Sequence, residues 1–362
     1  MTGTTRNNHL SSRWRCPSNI ALVKYWGKRD FQKPMNPSLS FVLQNAFTET
    51  SVELHKAGDK KVEFFFGGVA SDFSERIEKY LDHLSSRLPW INKYNFRIHS
   101  LNSFPHSAGI ASSASSFGAL ALCLMEIDSS FSGMDINSCH FRMMASELAR
   151  MGSGSASRSV YPGFALWGQT HLFESSGDEH AIPLVDGIQP LFSELRDAIL
   201  MVDSEEKEVS SSVGHQLMND HIFQHSRIAQ ANENINELYL SLLTGSKEKF
   251  IEVVENEALS LHAMMMTSKP WVILLKPNSL EIIRRIRHFR QKTNIPVCFT
   301  MDAGPNIHII YFKENEADVK AFIERELLVF CQNSKWIDDW IGQGPERLAF
   351  GQINPVSKVP DQ

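Results

Sequence analysis

The stretch Asn102–Gly118, NSFPHSAGIASSASSFG, decides the reading of this chain, because Gly, Ala and Ser dominate it until an apolar helix begins. Small side chains let a backbone approach a ligand closely. A turn at Pro105–Gly109 that feeds a helix near Ser112 would gather free N–H groups and the positive end of the helix dipole on one point, which suits a polyphosphate. The hydroxyls of Ser112 and Ser113 would add phosphate or Mg2+ contacts. Read alone, the segment is equally a packed small-residue turn with a serine N-cap. No GK[ST] closes it, so it is not a Walker A loop.

Downstream, Ser116–Ile127 spaces Phe117, Leu120, Ala121, Leu124 and Ile127 as one helix face, and Cys139–Arg150 repeats the pattern. A second small-residue loop, Gly152–Ser159 (GSGSASRS), follows with one charged member, Arg158. Serines beside an arginine form a donor-rich concavity, and a guanidinium can grip a carboxylate through two parallel hydrogen bonds. The alternative is a serine–glycine linker with a solvated arginine. Immediate continuation into the aromatic-rich YPGFALWG is unlike a linker.

Upstream, SNIALVKYWGKRD sets Lys24, Lys28 and Arg29 at the end of an apolar strand-like run. Strand alternation points Lys24 and Tyr25 to opposite faces, so one is forced inward, and an inward lysine needs an anionic partner. Taken by themselves, Lys28 and Arg29 read first as a solvated turn after a strand. Near the far end, PVCFTMDAGPNIHIIYF places Asp302 at the close of an apolar run. There a carboxylate is either held by a cation or raised in pKa, and both suit an acid or base; a turn-capping aspartate is the competing reading.

Strand-like runs at Asn19–Trp26, Val62–Phe66, Phe96–His99, Gly163–Trp167, Ala198–Val202, Val297–Met301 and Ile307–Phe312 alternate with helical patterns. The helices expected are Glu75–Leu84, Ser116–Ile127, Cys139–Arg150, Phe223–Leu243, Lys247–Met264, Leu280–Gln291 and Asp318–Phe330. The class is α+β, with a domain boundary near 186–196. Met264–Met266 reads as core, and the tail after Pro345 reads as a loosely held terminus.

The 362 residues, 42% hydrophobic and 21% charged, suffice for about two domains of an ordinary globular protein. A net charge of −5 argues against nucleic acid as partner but not against a small anion. No run has transmembrane length and no signal-peptide core opens the chain, so no membrane partner and a cytoplasmic location are expected. The five cysteines are scattered, with no CxxC, and the 14 histidines show no HExxH spacing; no GxSxG elbow is present.

Together, NIALVKYWGKRD, NPSLS at Asn36–Ser40, NSFPHSAGIASSASSFGALA, GSGSASRSVYPGF, His262–Ala263 with Lys269–Pro270, TMDAGPN and the GQGP at Gly342–Pro345 resemble the mevalonate diphosphate decarboxylases. That family sits in a superfamily with galactokinase, homoserine kinase, mevalonate kinase and phosphomevalonate kinase. The resemblance implies a two-domain α+β small-molecule-kinase-superfamily fold with the active site in the interdomain cleft, divided here into 1–190 and 191–362. It implies ATP and Mg2+ as cosubstrates and mevalonate 5-diphosphate as substrate; a homodimer is the expected assembly. By position it assigns catalytic roles to Asp302, Arg158 and Lys24, and substrate contacts to Asn19, Tyr25, Lys28, Ser153 and Ser155. It assigns ATP contacts to Asn102, Ser107, Ala108, Gly109, Ser112 and Ser113, with Ser113 also facing Mg2+.

Three positions depart from the family pattern: His106 stands for a small hydroxyl residue, Ser157 for a common cysteine, and Val213 for an arginine that some bacterial relatives carry. Two further readings are a kinase of the same fold that stops at a phosphorylated mevalonate, and a silent sensor of nucleotide or isoprenoid phosphate.

Overall fold

The computed structural model describes residues 10–56, 61–105, 112–203 and 211–350. Among these, the first half of the chain builds one sheet from β1 (Ser11–Val23), β2 (Ser38–Lys56), β3 (Val62–Phe66), β4 (Val69–Ala70), β5 (Tyr94–Asn102), β6 (Phe164–Trp167) and β7 (Ala181–Leu184). Its helices are α1 (Ser74–Leu84), α2 (Ser112–Ser132), α3 (Cys139–Gly152) and the single turn α4 (Ala156–Ser159). The second half forms an antiparallel sheet of β8 (Arg196–Leu200), β9 (Val297–Thr300), β10 (Ile307–Tyr311) and β11 (Trp336–Trp340), in the order β11-β8-β10-β9. Its helices are α5 (Ser211–Gln216), α6 (Gln224–Thr244), α7 (Lys247–Met266), α8 (Pro277–Thr293) and α9 (Glu316–Phe322). This is a mixed α+β, two-domain arrangement.

β2 is the spine of the first sheet. Its start pairs with β6 and its end with β5, while β1 runs along its other edge. The sequence pattern does not announce this strand, and the reason is physical: Thr48, Glu49, Thr50 and Ser51 are buried polar residues that interrupt the apolar run. The first three hold side-chain partners. Thr48 Oγ1 is 2.6 Å from Ser115 Oγ, Thr50 Oγ1 is 3.1 Å from Ser100 Oγ, and Glu49 accepts from Arg13 and Arg15.

Period-two burial explains the second sheet. Ala198, Leu200, Val297, Phe299, Ile307 and Ile309 face α8 and α9, while Ile199, Cys298 and Ile310 face α6 and α7. Because both faces are covered, these strands read as continuous apolar runs. The pair α6–α7 also packs against Ile20 and Leu22 of β1 and Leu39 and Phe41 of β2, so one helical layer is shared between the two sheets.

A register shift falls in β1 between Pro17 and Asn19. Before it, Trp14 and Cys16 face the α2 side; after it, Ile20 and Leu22 face α6–α7. Opposite Ser18 of β1 the partner strand β2 runs through four residues, Leu43–Ala46, and across this irregularity the alternation of β1 changes sides, so Asn19 and Ala21 turn toward the space beneath α2 and α4.

The sequence predicts a strand over Asn19–Trp26; the strand starts earlier and ends at Val23. It predicts one helix over Asp318–Phe330, where α9 ends at Phe322 and the chain continues in wider and tighter turns. Met264 and Met265 are core but Met266 is 42% exposed. The tail differs most. β12 (Glu346–Arg347) pairs antiparallel with β1, Arg347 Nε donates to Glu126 at 2.7 Å, and Leu348 N–H donates to Arg13 O at 2.9 Å. Glu126 also accepts from Ser12 and Trp14, so the described part of the tail is bound rather than loose. The helices of the described residues include none long and apolar enough to cross a membrane.

Candidate active site

A cavity of about 570 Å³ lies where the two halves meet. The first half contributes Asn19, Lys24, Tyr25 and Lys28 from β1 and the segment after it, Asn102 from β5, Ser112 and Ser113 from the start of α2, and Ser153, Ser155 and Arg158 from the turn into α4. The second half contributes His215, Leu261, Asp302 and Ala303. The structure therefore gathers in one space Asn19, Lys24, Tyr25, Lys28, Asn102, Ser112, Ser113, Ser153, Ser155, Arg158 and Asp302, all anticipated from sequence. Ser107, Ala108 and Gly109, with His106, lie outside the described residues.

Lys24 and Asp302 form the centre. Lys24 Nζ donates to Asp302 Oδ1 at 3.0 Å, joining residues 278 positions apart. The expectation that strand alternation would send Lys24 and Tyr25 to opposite faces fails, because β1 ends at Val23 and both side chains line the cavity. Burial lowers the Lys24 pKa, and Asp302 pulls it back up. The lysine remains the partner that keeps a carboxylate ionised in a cleft.

Arg158 is 2% exposed on α4. One terminal nitrogen donates to Ser38 Oγ, and Nε has no hydrogen-bond partner among the described residues. Its guanidinium sits 5.9 Å from the Trp167 ring centroid. Burial lowers its pKa to about 10, with Asp302 opposing that shift. Asn19 ties this turn down, donating to Ser155 O at 3.0 Å and Ser159 Oγ at 2.8 Å, while its own Oδ1 is buried without a partner among the described residues. A donor is missing opposite that oxygen, as expected where a ligand hydroxyl or water completes the set.

Three serines join the two small-residue loops. Ser113 Oγ is 3.0 Å from Ser153 Oγ, which is 3.3 Å from Ser155 Oγ. The glycines between them are needed for packing as well as for ligand approach. A Cβ at Gly152 would lie 2.0 Å from the Phe117 ring, and one at Gly154 would lie 2.8 Å from both Tyr25 and Trp167. Ser157 donates to Gly154 O at 2.8 Å and closes the turn, a task for which a hydroxyl serves.

Two lining residues carry no signal of their own in the sequence. Arg76 on α1 stacks over Phe117 at 5.1 Å and Phe73 at 5.3 Å. Its neighbour Ile77 reads as helix core, which places Arg76 at the border of that face. His215 accepts from Gly27 N–H at 3.0 Å and lies 4.3 Å from the Tyr25 ring and 4.7 Å from Trp26. Burial, then nearby Lys28, lowers its pKa to about 3, so it stays neutral. Lys28 donates to Gln32 Oε1 at 3.2 Å. By contrast His308, close to Asp302 in sequence, bonds buried Asp197 at 2.7 Å inside the second sheet and is not among the lining residues of the cavity. Val213 is on α5 and 44% exposed, so that position supplies no cation.

Among the described lining residues, Lys24, Lys28, Arg76 and Arg158 oppose a single carboxylate, Asp302. Such a wall suits a ligand with several negative charges, and Asp302 is the one carboxylate among the described lining residues that can serve as a base.

Residues 16–178 match a profile described as the diphosphomevalonate decarboxylase-like N-terminal domain, and residues 198–352 match the mevalonate 5-diphosphate decarboxylase C-terminal domain. The chain belongs to the diphosphomevalonate decarboxylase family. A family member from Debaryomyces hansenii is 30% identical over 339 residues, 88% of this chain and 83% of the relative. The mevalonate diphosphate decarboxylase of Staphylococcus aureus has the same fold, with a TM-score of 0.81 and 31% identity over 94% of this chain and 98% of that one. A structure described as MDDEF in complex with MVAPP, AMPPCP and magnesium also has a TM-score of 0.81, with 28% identity over 94% of this chain and 99% of that one.

Proposed function

We infer that this chain catalyses the ATP-dependent decarboxylation of mevalonate 5-diphosphate to isopentenyl diphosphate, releasing ADP, phosphate and CO2, in the mevalonate pathway of isoprenoid biosynthesis. The observation that carries the reading is the Lys24–Asp302 pair set opposite Arg158 in an otherwise cationic cavity.

The residues fit ATP with Mg2+. Ser112 and Ser113 offer hard oxygen donors at the start of α2, and the described residues hold no cluster of three His, Cys, Asp or Glu that would bind a cation by itself. A cation held mainly by phosphate oxygens matches that donor set. When bound, ATP with Mg2+ supplies the phosphoryl group that makes the substrate's tertiary 3-hydroxyl a leaving group. Asn102, Ser112 and Ser113 are proposed to hold the nucleotide; Ser107, Ala108 and Gly109 retain that assignment from sequence, and Arg76 adds a cation beside them.

Asp302, kept anionic by Lys24, orients the 3-hydroxyl and takes its proton as the oxygen gains phosphorus. Arg158 grips the carboxylate, aligning the bond that breaks with the group that leaves. Departure of phosphate breaks the C3–O bond and leaves positive charge at C3; the electrons of the bond to the carboxylate then form the double bond, and CO2 departs. Asn19, Tyr25, Lys28, Ser153 and Ser155 are proposed as contacts to the remaining oxygens. Positioning and charge neutralisation supply most of the rate.

We propose the division of the chain at 190/191, between β7 and β8, with β12 crossing back to the first sheet. We also propose a homodimer, supported by Trp271 and Ile273, exposed at 69% and 57% after α7. A cytoplasmic location is supported by five unpaired cysteines. The test of function is incubation with ATP, Mg2+ and mevalonate 5-diphosphate, with the monophosphate in parallel. CO2 and phosphate should appear one for one; ADP without CO2 would overturn the reading.

A further inference from the structure

Lys24 is held at both ends, and the second hold lies away from the cavity. Glu257 on α7 is fully buried, and its oxygens share their donors evenly: Oε1 accepts from Arg227 Nη1 at 2.8 Å and Asn234 Nδ2 at 2.6 Å, while Oε2 accepts from Arg227 Nη2 at 2.6 Å and the backbone N–H of Lys24 at 2.8 Å. Arg227 on α6, 3% exposed, also donates to the backbone O of Lys24 at 3.3 Å. One ion pair therefore grips both the N–H and the C=O of the residue whose ammonium holds Asp302. The grip begins just where β1 ends at Val23, so no ladder of strand bonds fixes this backbone; besides the ion pair, Asn36 Nδ2 donates to the Lys24 carbonyl at 3.0 Å.

A fully buried ion pair is expensive in desolvation and is often replaceable by apolar side chains without loss of stability. Its presence needs a further reason. We propose that Glu257, with Arg227, is a positioning residue for the reaction: it sets the backbone of Lys24 from the second half of the chain, which also carries Asp302, and so fixes the Lys24–Asp302 geometry. This rests on the proposed function. The two ends of the Lys24–Asp302 contact are then referred to one framework, α6, α7 and the β9–β10 connection, although Lys24 belongs to the first half in sequence. Four charged groups face Lys24: Asp302 and Arg158 across the cavity, Glu257 from α7 and Arg227 from α6. Asp302 and Glu257 favour its ammonium form, while burial and Arg158 oppose it.

The test is steady-state kinetics of the full-length chain carrying E257Q, beside the wild type. The amide keeps the shape but no longer accepts on both sides. We expect kcat for CO2 release to fall by about 10²-fold with KM for ATP within about twofold. The alkaline limb of the kcat profile should move to lower pH, because one of the two carboxylates that favour the Lys24 ammonium is gone; a merely structural lesion would not move that limb. The double variant E257L/R227L removes the pair together, leaves Lys24 N–H and Asn234 without their acceptor, and should stay folded with a lowered melting temperature while remaining slow. A folded E257Q with unchanged kcat and pH profile overturns the inference, as does a double variant that turns over like the wild type. A wild type that releases no CO2 rejects the function itself. In that event an NMR titration of the Lys24 ammonium in wild type and E257Q still decides the positioning role: it should titrate lower in the variant, and an unchanged titration overturns it.

Discussion

Lys24 Nζ stands 3.0 Å from Asp302 Oδ1, and the two ends of that bond are unequally wet: the lysine side chain is 1% exposed and the aspartate 27%. Both groups line the cavity, and the carboxylate is the more open of the two. D302N keeps the shape and removes the proton acceptor, so kcat should fall by about 10³-fold with substrate affinity changed only a few-fold. Stability should fall by about 1–2 kcal/mol, less than for a fully buried pair. Equilibrium binding by calorimetry beside single-turnover CO2 release separates these effects; a D302N protein with wild-type turnover removes Asp302 from the chemistry.

Arg158 makes a different demand, for shape rather than charge. R158K preserves the cation but cannot offer two parallel donors to a carboxylate. The expected outcome is a kcat/KM for mevalonate 5-diphosphate lower by about 10²-fold with the KM for ATP little altered. If lysine substitutes fully, the guanidinium is not gripping the carboxylate.

The alkaline side of the pH profile follows from the same two cations. Burial brings Arg158 to about 10 and lowers Lys24 from its ordinary value. An anionic ligand favours the protonated forms and raises both pKa values on binding. The affinity they contribute is therefore complete below the free-protein values and is lost as pH climbs through them. Measured as kcat/KM, activity should drop as pH approaches 10, whereas His215, at about 3, should add no inflection between pH 5 and 8. An unbroken plateau to about pH 10.5 in the folded enzyme would contradict this assignment.

Asp339 offers a test of how the halves are joined. This fully buried carboxylate on β11 accepts from the backbone N–H groups of Gln44, Asn45 and Ala46 in β2, at 2.8–2.9 Å, and from Trp340 N–H at 2.8 Å. D339N leaves one acceptor oxygen where two served four donors, and the cost should be about 2 kcal/mol. Urea denaturation would read it as a lower midpoint. An unchanged midpoint means that the irregular stretch of β2 has other support.

Much of the site is legible in the sequence because its chemistry sits in short, compositionally odd segments. The small-residue loops and the KYWGKRD run announce themselves, and Lys24, Tyr25 and Lys28 meet Ser113, Ser153, Ser155 and Arg158 in one cavity, while Arg29 pairs with Asp178 instead. What escapes such a reading is polar and buried. Thr48, Glu49 and Thr50 hide β2, and Asp338 with buried Asp339 hides β11, since a carboxylate such as that of Asp339 reads as solvated until its donors are seen. Arg76, His215, Arg227 and Glu257 stay hidden for a related reason. Each lies on or beside a helical face whose periodicity points to packing, and only the distant partner, such as the Lys24 backbone for Glu257, reveals another task.

The irregular pairing of Pro17–Asn19 with β2 acts on the site as a reading frame acts on a message. Removing one residue there would leave composition and hydrophobicity almost untouched, yet would exchange inside for outside along the rest of the strand. Asn19 would rotate into the apolar helical layer and Ile20 into the cavity. Substitutions along β1 are therefore local events, whereas a single-codon deletion there is a global one.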